Sequence, residues 1–373
     1  MNRITLYFLI PVLLIAGIVF SVTACSREEP EAVVPSTEPV QTVPGEETLP
    51  PETEAPTEPA TVPTEAPPEV FTLTFAGDCT LGTNPGMYYA PWGFIKLVGE
   101  DYGYPFWNVL DYFENDDFSM VNLEGPLCDT GNPVVKKHTF RGPTAYVNIL
   151  TQNSVEAVTL ANNHTLDYGP NGYESTLATL DAAAMPYVAE NSSLLITTER
   201  GLTIGIYAAW YNTWDMEDLK AEVAALREQG AELIIYAVHW GTEGSYRPEP
   251  HQVEMAHEII DAGVDIIYGS HPHVLQSIEE YNGGIIYYSL GNFAFGGNMY
   301  PKDLDTAVLQ QEVIRYADGT VELGQLTRIP CSVSSIEIRN NFQPTPFAAG
   351  TEDYDRVLSK LDGTFTGPNL RVG

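Results

Sequence analysis

Side chains that can bind metal ions or move protons follow several apolar runs of this sequence. Asp78 comes soon after the run "FTLTFA", and Glu124 comes directly after "MVNL". Asn163 and Asp167 stand in "LANNHTLDYG", the next place of this kind. Four of the seven histidines occupy similar positions, namely His164, His239, His271 and His273. Carboxylate, imidazole and amide groups together favour borderline divalent ions such as Mn²⁺, Fe²⁺ or Zn²⁺.

These groups are too numerous for one tetrahedral zinc ion. Two metal ions that share a bridging carboxylate would use them, would clamp the attacking and leaving oxygens of a displacement, and would lower the pKa of a bound water. His164 could stay outside the ligand set and protonate the leaving group, while Asp167 orients its ring. We therefore expect a divalent metal centre, of one ion or two, and a hydrolytic activity.

Each residue alone also has a structural explanation. Asp78 could cap a turn, Glu124 could be a solvated charge, and Asn163 could occupy a left-handed turn position. His239 alone would more often be a partly buried histidine with its own hydrogen bonds than a ligand. The metal interpretation rests on the conjunction of these residues at the ends of successive apolar runs.

The elements that must position these residues alternate between apolar runs and helix-like segments. The expected strands cover 70–76, 118–122, 155–160, 203–209, 233–238 and 265–268. The expected helices cover 105–116, 172–183, 216–229 and 253–262. Consecutive strands follow over 274–281, 285–289, 307–316 and 321–330.

This order predicts an α/β domain in which two sheets pack face to face and helices cover them from outside. In open α/β sheets, ligands bind outside the carboxyl ends of the strands. Polar residues at those ends should therefore converge on one surface.

The N-terminal region predicts export. An uncharged apolar run over 6–22 follows Arg3 and ends in "VTAC", which resembles a bacterial lipobox. Cleavage before Cys25 would expose a thiol that receives diacylglycerol; an uncleaved signal anchor and an ordinary signal peptide are the alternatives. We expect a lipoprotein signal peptide over 1–24, a disordered acidic stalk rich in Pro, Glu and Thr over 25–69, and a folded domain over 70–373. The protein would then be lipid-anchored at the extracellular face of the cytoplasmic membrane.

The net charge limits the classes of partner, and the number of cysteines limits the possible disulfides. The formal net charge of the chain is −33 at pH 7. A field of that sign disfavours nucleic acid and anionic membrane surfaces as partners, so membrane contact is expected through the N-terminal lipid alone. Of the three cysteines in the expected folded domain at most two can pair, and we predict a Cys79–Cys128 disulfide.

Seven short motifs resemble those of a known family, in order and in spacing. They are "GDCTLG", "VNLEGPL", "KKHTFRGP", "LANNHTLDYG", "VHWGTEG", "GSHPHVLQ" and "YYSLGNF". Together they resemble the CapA family of bacterial poly-γ-glutamate capsule proteins, from about Phe71 to about Pro346. That family is similar in fold to the calcineurin-like metallophosphoesterases, so the resemblance implies a four-layered α/β/β/α sandwich with a dinuclear centre.

The resemblance also implies a role for each site residue. Asp78 and Glu124 match metal carboxylates, with Glu124 bridging, and His164 matches the catalytic histidine that binds no metal. The remaining ligands by the same match are Asn163, His239, His271 and His273. Metallophosphoesterases usually begin with Asp-x-His, but Thr80 stands at the second ligand position here. The metal site that His273 would serve therefore lacks one imidazole: water or another side chain fills the place, the site is weakly occupied, or it does not exist.

A basic cluster interrupts the acidic sequence at "KKHTFRGP". It is either a solvated loop or an anion-binding patch for a polyglutamate carboxylate or a phosphate. Arg141 is the best candidate for such a patch because its guanidinium can bind an oxyanion through two parallel hydrogen bonds. Lys137 and Arg247 are further candidates for substrate binding.

The sequence thus supports three functions. The first is a cell-surface lipoprotein that acts in the synthesis, export or processing of poly-γ-glutamate or a related anionic polymer. The second is an extracellular metal-dependent phosphoesterase. The third is a non-catalytic accessory that binds the polymer or its synthase complex.

Overall fold

A computed structural model describes residues 66–371, which belong to one compact unit, Pro63–Gly373. The predicted signal peptide, Cys25 and the stalk up to residue 65 lie outside the described residues. Within 66–371, no helix combines the length and the apolar character that crossing a membrane requires.

Residues 66–371 form thirteen strands and seven α-helices. The strands are β1 (Glu69–Cys79), β2 (Phe118–Leu123), β3 (Ala157–Thr159), β4 (Tyr187–Val188), β5 (Ser192–Thr197), β6 (Thr203–Trp210), β7 (Leu233–His239), β8 (Ile266–Ser270), β9 (Ile278–Tyr281), β10 (Gly284–Tyr287), β11 (Asp305–Arg315), β12 (Val321–Ser332) and β13 (Thr345–Pro346). The helices are α1 (Phe94–Val98), α2 (Leu110–Phe113), α3 (Val147–Thr151), α4 (Gly169–Ala182), α5 (Met216–Glu228), α6 (Pro250–Asp261) and α7 (Glu352–Leu361).

The strands form two sheets. The first has the order β13-β12-β11-β1-β2-β3-β4, and the second has the order β5-β6-β7-β8-β10-β9. Strands β1 to β4 run parallel to one another, as do β6, β7, β8 and β10. Each sheet therefore has a parallel part whose carboxyl ends lie at one edge, where polar side chains can meet.

Three apolar cores separate four layers. The inner core lies between the sheets, where Phe75 of the first sheet packs against Tyr268 and Tyr287 of the second at ring-centroid distances of 5.8 and 5.5 Å. A second core packs α1 to α4 on the outer face of the first sheet, and a third packs α5 and α6 on the second sheet. The predicted α/β/β/α layering is confirmed.

Two of the expected segments depart most from the prediction. The segment 105–116 forms a 3-10 turn at Tyr104–Phe106 and only the short α2, because Phe106 and Phe113 are drawn into the second core. The expected strand over 274–281 is reduced to β9. Tertiary packing and the loop after β8 take precedence over local propensity in these segments.

A buried ion network fastens α7 to the first sheet. The Lys360 ammonium is buried, and its Nζ lies 2.6 Å from Asp303 Oδ2 and 2.7 Å from Asp305 Oδ2. Arg356, one turn earlier on α7, also donates two hydrogen bonds to Asp305. Charge-assisted bonds in this number compensate for the cost of burying Asp305.

The predicted disulfide between Cys79 and Cys128 is wrong, because both thiols are free and buried, as is that of Cys331. Cys79 packs in the second core, where burial raises the pKa of its thiol to about 12. Cys128 lies instead beside the first turn of α4, near Gly172. Both residues stand next to motifs in the sequence, but their side chains enter different packing environments.

Candidate metal centre

Eight of the residues predicted for the site meet at the edge where the parallel strands end. The first sheet contributes residues at or after the ends of β1, β2 and β3, and the second contributes residues at or after the ends of β7 and β8. The eight are Asp78, Glu124, Asn163, His164, Asp167, His239, His271 and His273.

Glu124 lies at the middle of this group. Its Oε1 is 3.7 Å from His239 Nε2 and 3.8 Å from the Nε2 atoms of His164 and His273. The side chain is fully buried, and neither carboxylate oxygen has a hydrogen-bond partner within residues 66–371. Burial raises the pKa of Glu124, while the positive charge of His273 opposes that rise. A buried carboxylate among imidazoles fits a site for a divalent cation, which would balance its charge.

Asp78 and His273 form one side of the centre. Asp78 Oδ2 lies 3.1 Å from His273 Nδ1, and Asp78 Oδ1 accepts a hydrogen bond of 2.8 Å from Asn122 Nδ2. The charges of Glu124 and Asp78 raise the pKa of His273 against the opposing effect of burial. Ligand atoms of Asp78, Glu124 and His273 all lie within 4.8 Å of one another, and we name these three the first donor group.

Asn163, His239 and His271 form the other side, which we name the second donor group. His239 Nε2 lies 3.0 Å from Asn163 Oδ1 and 3.0 Å from His271 Nδ1, while His239 Nδ1 lies 2.8 Å from Ser270 Oγ. Burial, followed by the charge of neighbouring histidines, lowers the pKa of His239 well below its usual range and that of His271 to about 4. Both rings are therefore neutral, which is the form that binds metal ions.

His164 is held by an acidic partner. Its Nδ1 lies 2.6 Å from Asp167 Oδ2, which also accepts a hydrogen bond of 2.7 Å from the backbone N–H of Phe140. Lys136 Nζ donates to Asp167 Oδ1 at 2.9 Å and lies 3.2 Å from His164 Nδ1. The ring packs against Phe140 at 4.4 Å between centroids, with an angle of 38° between the ring planes. Nδ1 is thus occupied, and Nε2 faces Glu124.

Thr80, which stands where an imidazole ligand is usual, lies buried directly after β1. Its Oγ1 has no hydrogen-bond partner in the described part of the chain, and a hydroxyl cannot supply the imidazole of an Asp-x-His pair. The first donor group therefore contains one imidazole and two carboxylates.

The turn that carries the two histidines after β8 has an unusual backbone. His271 has φ +99° and His273 has φ +56°, on either side of Pro272. Positive φ is costly for residues with a side chain and is found where surrounding structure enforces it. The preceding Gly269 has a different purpose, since a Cβ there would lie 2.3 Å from the carbonyl oxygen of Tyr288.

The three predicted substrate-binding residues have different surroundings. The Arg141 guanidinium lies over the rings of Tyr88 and Tyr168, at 5.2 and 5.1 Å from their centroids, and forms no ion pair within 66–371. Lys137 is exposed. Arg247 Nη2 donates to the carbonyl oxygens of Phe365 and Gly367 at 3.0 and 3.1 Å, so its guanidinium is engaged in holding the C-terminal segment. None of its side-chain hydrogen bonds in the described chain is made to a residue of the centre.

Several residues of the site were not assigned a role from the sequence. Asn122 could have been found, since it lies two residues before Glu124 and alternate residues of a strand share a face. Asn292 Oδ1 accepts a hydrogen bond of 3.0 Å from His273 Nδ1, and Asn292 stands in the quoted "YYSLGNF" motif. Lys136 and Glu243 also stand in quoted motifs, but their contacts depend on loop conformation. Glu243 places a ligand atom within 4.8 Å of those of His271 and His273.

Comparisons with solved structures give weak similarities. The NAD nucleotidase of Haemophilus influenzae aligns with 13% identity and a TM-score of 0.42, over 80% of this chain and 56% of that protein. The purple acid phosphatase PPD1 of yellow lupin aligns with 13% identity and a TM-score of 0.30, over 70% of this chain and 53% of that one.

Comparisons of sequence give closer relatives. The capsule biosynthesis protein CapA of Bacillus anthracis is 29% identical over 272 residues, which cover 65% of this chain and 64% of that protein. The PGA biosynthesis protein CapA of Bacillus subtilis (strain 168) is 27% identical over 323 residues, 80% of this chain and 82% of the relative. A probable polyglutamine synthesis accessory protein of Mycobacterium tuberculosis is 28% identical over 284 residues, 60% of this chain and 74% of the relative.

The family model described as "Bacterial capsule synthesis protein PGA_cap" matches residues 72–297, which is more than half of the chain. The matched range begins in β1 and ends beyond Asn292, so it contains the whole candidate metal centre. The chain belongs to the family of bacterial capsule synthesis proteins of the PGA_cap type.

Proposed function

We propose that this protein is a metal-dependent hydrolase of the cell surface that acts in the synthesis, export or processing of poly-γ-glutamate or a related anionic polymer. The observation that carries the metal-dependent part is Glu124, a fully buried carboxylate with two unpaired oxygens among three imidazoles. The polymer part is supported by the family and by the printed names of the relatives from Bacillus.

The first and second donor groups suit two divalent cations with Glu124 between them. Mixed oxygen and imidazole donors favour Mn²⁺, Fe²⁺ or Zn²⁺ over Ca²⁺. Such ions, when bound, supply Lewis acidity and an activated water for hydrolysis. The chain itself supplies the orientation of the ligands, because Asn122 holds Asp78 and Ser270 holds His239.

His164 is the proposed proton donor to the leaving group. Asp167 accepts a hydrogen bond from the Nδ1–H of this ring, so the ring is fixed with Nε2 directed to the centre. Lys136 and the Phe140 N–H also donate hydrogen bonds to Asp167, which hold that carboxylate in place.

Arg141 is the proposed contact for an oxyanion of the substrate. The chain has a formal net charge of −33, which repels a polyanion over roughly 8 Å at physiological salt. A local cation is therefore needed at the site. The guanidinium between Tyr88 and Tyr168 has no acidic partner among the described residues, so no carboxylate of the described chain competes with a substrate for it.

The location is proposed from the N-terminal sequence. The "VTAC" ending of the apolar run supports lipid attachment at Cys25, and the acidic stalk would then carry the domain outward from the cytoplasmic membrane. The synthase complex of the polymer is the partner that this location and the family favour.

The test uses the full-length protein, purified in detergent and loaded anaerobically with Mn²⁺ or Fe²⁺. We expect cleavage of a γ-glutamyl polymer, measured by the release of new amino termini. Glu124→Gln and His164→Ala should each lower the rate at least about 100-fold. Glu254→Gln removes an exposed carboxylate from α6 and should leave the rate unchanged.

Other outcomes assign other functions. Hydrolysis of a phosphodiester, without cleavage of the polymer, would identify an extracellular phosphoesterase. Tight polymer binding by a metal-loaded protein that cleaves neither substrate would identify an accessory protein. Absence of stoichiometric metal after loading would exclude both enzymatic functions.

A further inference from the structure

Glu243 is an acidic residue at the centre with no role in the proposed hydrolysis. It follows β7 in the motif "VHWGTEG", four residues after His239. Its carboxylate forms neither an ion pair nor a hydrogen bond with any residue in 66–371. It nevertheless supplies a ligand atom within 4.8 Å of those of both His271 and His273.

The loop that carries Glu243 is fixed against the histidine turn. The backbone N–H of Gly244 donates a hydrogen bond of 2.8 Å to the carbonyl oxygen of Pro272, which separates the two histidines. The carbonyl oxygen of Gly244 in turn accepts a hydrogen bond of 2.9 Å from the backbone N–H of Leu370. Gly244 has φ +75°, a conformation that glycine adopts at low cost. The carboxylate is therefore carried by a loop that is tied on both sides.

The distances favour a shared ion over a direct contact. Glu243 approaches both imidazoles closely, yet no oxygen of its carboxylate comes within the 4.0 Å of an ion pair with either ring. Donor atoms that share one metal ion lie about 3 to 4.3 Å apart at ordinary metal–ligand distances of about 2.1 Å. A small movement of the flexible Glu243 side chain would bring its carboxylate to an ion held by His273, while His271 keeps its place in the second donor group.

We propose that Glu243 is a further ligand of the metal centre, which binds the ion on His273 from the solvent-accessible side. It would add a carboxylate to the first donor group, which contains a single imidazole because Thr80 supplies none. The inference rests on the proposed function, since it requires that the centre hold a metal. It adds an exchangeable carboxylate to a site whose other acidic ligands, Asp78 and Glu124, are buried.

The test measures metal binding rather than turnover. Full-length protein is stripped with a chelator and titrated with Mn²⁺, with bound and free ion followed by electron paramagnetic resonance. We expect Glu243→Gln to lower the Mn²⁺ affinity of one class of sites at least about 10-fold. Even the loss of a residue that only holds a metal ligand typically lowers metal affinity about 10- to 100-fold. Glu243→His, which replaces one ligand by another, should restore most of the affinity.

Two controls separate the possible causes of failure. Glu254→Gln removes the same charge from the exposed face of α6 and should bind Mn²⁺ as the unchanged protein does. Circular dichroism of the stripped variants reports whether each is folded. Equal Mn²⁺ affinity in Glu243→Gln and in the unchanged protein would overturn this inference and leave the proposed function standing. Absence of bound Mn²⁺, Fe²⁺ and Zn²⁺ in the unchanged protein would overturn both.

Discussion

The residues of the candidate centre are oriented by a chain of amides. Asn162 Nδ2 donates to Asn122 Oδ1 at 3.0 Å, and Asn122 Nδ2 donates to Asp78 Oδ1 at 2.8 Å. Asn292, which pairs with Asp78 on the other side of β1, orients His273 in the same way through its Oδ1. Such partners fix the rotamers of ligands before any ion binds.

Asp116, a half-buried acid away from the centre, gives a prediction for stability. Burial raises the pKa of Asp116 to about 8, and its Oδ2 has no hydrogen-bond partner within the described chain. Between pH 4 and pH 8 the folded state holds a proton that the unfolded state has released, so stability falls as the pH rises through this window. Asp116→Asn stays neutral, and we expect it to gain on the order of 1–3 kcal/mol relative to the unchanged protein between these limits.

Urea unfolding at pH 4, 6 and 8 measures this gain. Asp111→Asn, on the exposed side of the same segment, is the matched control and should show little dependence on pH. A difference between Asp116→Asn and the unchanged protein that stays constant over the range would contradict the raised pKa.

At the residue scale, position relative to strand ends predicts more than residue type does. Asp78, Glu124 and His239 were assigned because each closes an apolar run. Lys136 belongs to the basic cluster, but its contact with Asp167 was not predicted, since the contacts of neighbours in an irregular loop depend on the backbone path of that loop. Side chains on loops depend on contacts between distant segments, which a single sequence does not display.

At the scale of elements, the parallel strands explain why the site residues converge, and α7 stabilises the first sheet. Helix α7 lies against β11 and β12 through the network around Lys360. Removing one partner of a buried ion network leaves an uncompensated charge. We expect Lys360→Met to lower the free energy of unfolding by about 3–5 kcal/mol, because Asp303 and Asp305 lose a shared partner.

Guanidinium chloride unfolding measures the effect of this substitution. Lys220→Met on α5 removes an exposed lysine whose Nζ lies 3.1 Å from Glu217, and it should cost less than about 1 kcal/mol. Similar losses in the two variants would mean that the network around Lys360 does not stabilise the fold.

The elements themselves were predicted unevenly. Strands such as β6 and β7 were found within a residue or two, because each is a continuous buried run. The short α1 and α3, and the terminal α7, were not expected at all. The apolar stripe of such short segments is too brief to be distinguished from a loop, and they are stabilised by the core that they cover.

At the scale of the whole molecule, the expected lipid anchor gives a prediction about the processing of the N-terminus. Processing at "VTAC" should leave Cys25 as the first residue of the mature chain, with diacylglycerol on its thiol. Mass spectrometry of the N-terminal peptide would identify the modification. Cys25→Ala should remove the lipid modification seen by mass spectrometry, whereas Ser26→Ala should leave it in place.

The anchor prediction has a clear contrary result. An unchanged protein that lies in the membrane fraction with residues 6–22 still attached and with Cys25 unmodified would have a signal anchor instead. One that is found unmodified in the medium would have an ordinary signal peptide.

The centre draws its donors from both sheets, with Asp78, Glu124 and Asn163 from the first and His239, His271 and His273 from the second. Metal ions bound there would link the two sheets, which also meet through the apolar inner core and through ion pairs such as Arg315 with Glu232. Their binding free energy would add to the free energy of unfolding by mass action. The supply of metal would thus set the thermal lifetime of the domain as well as its chemistry.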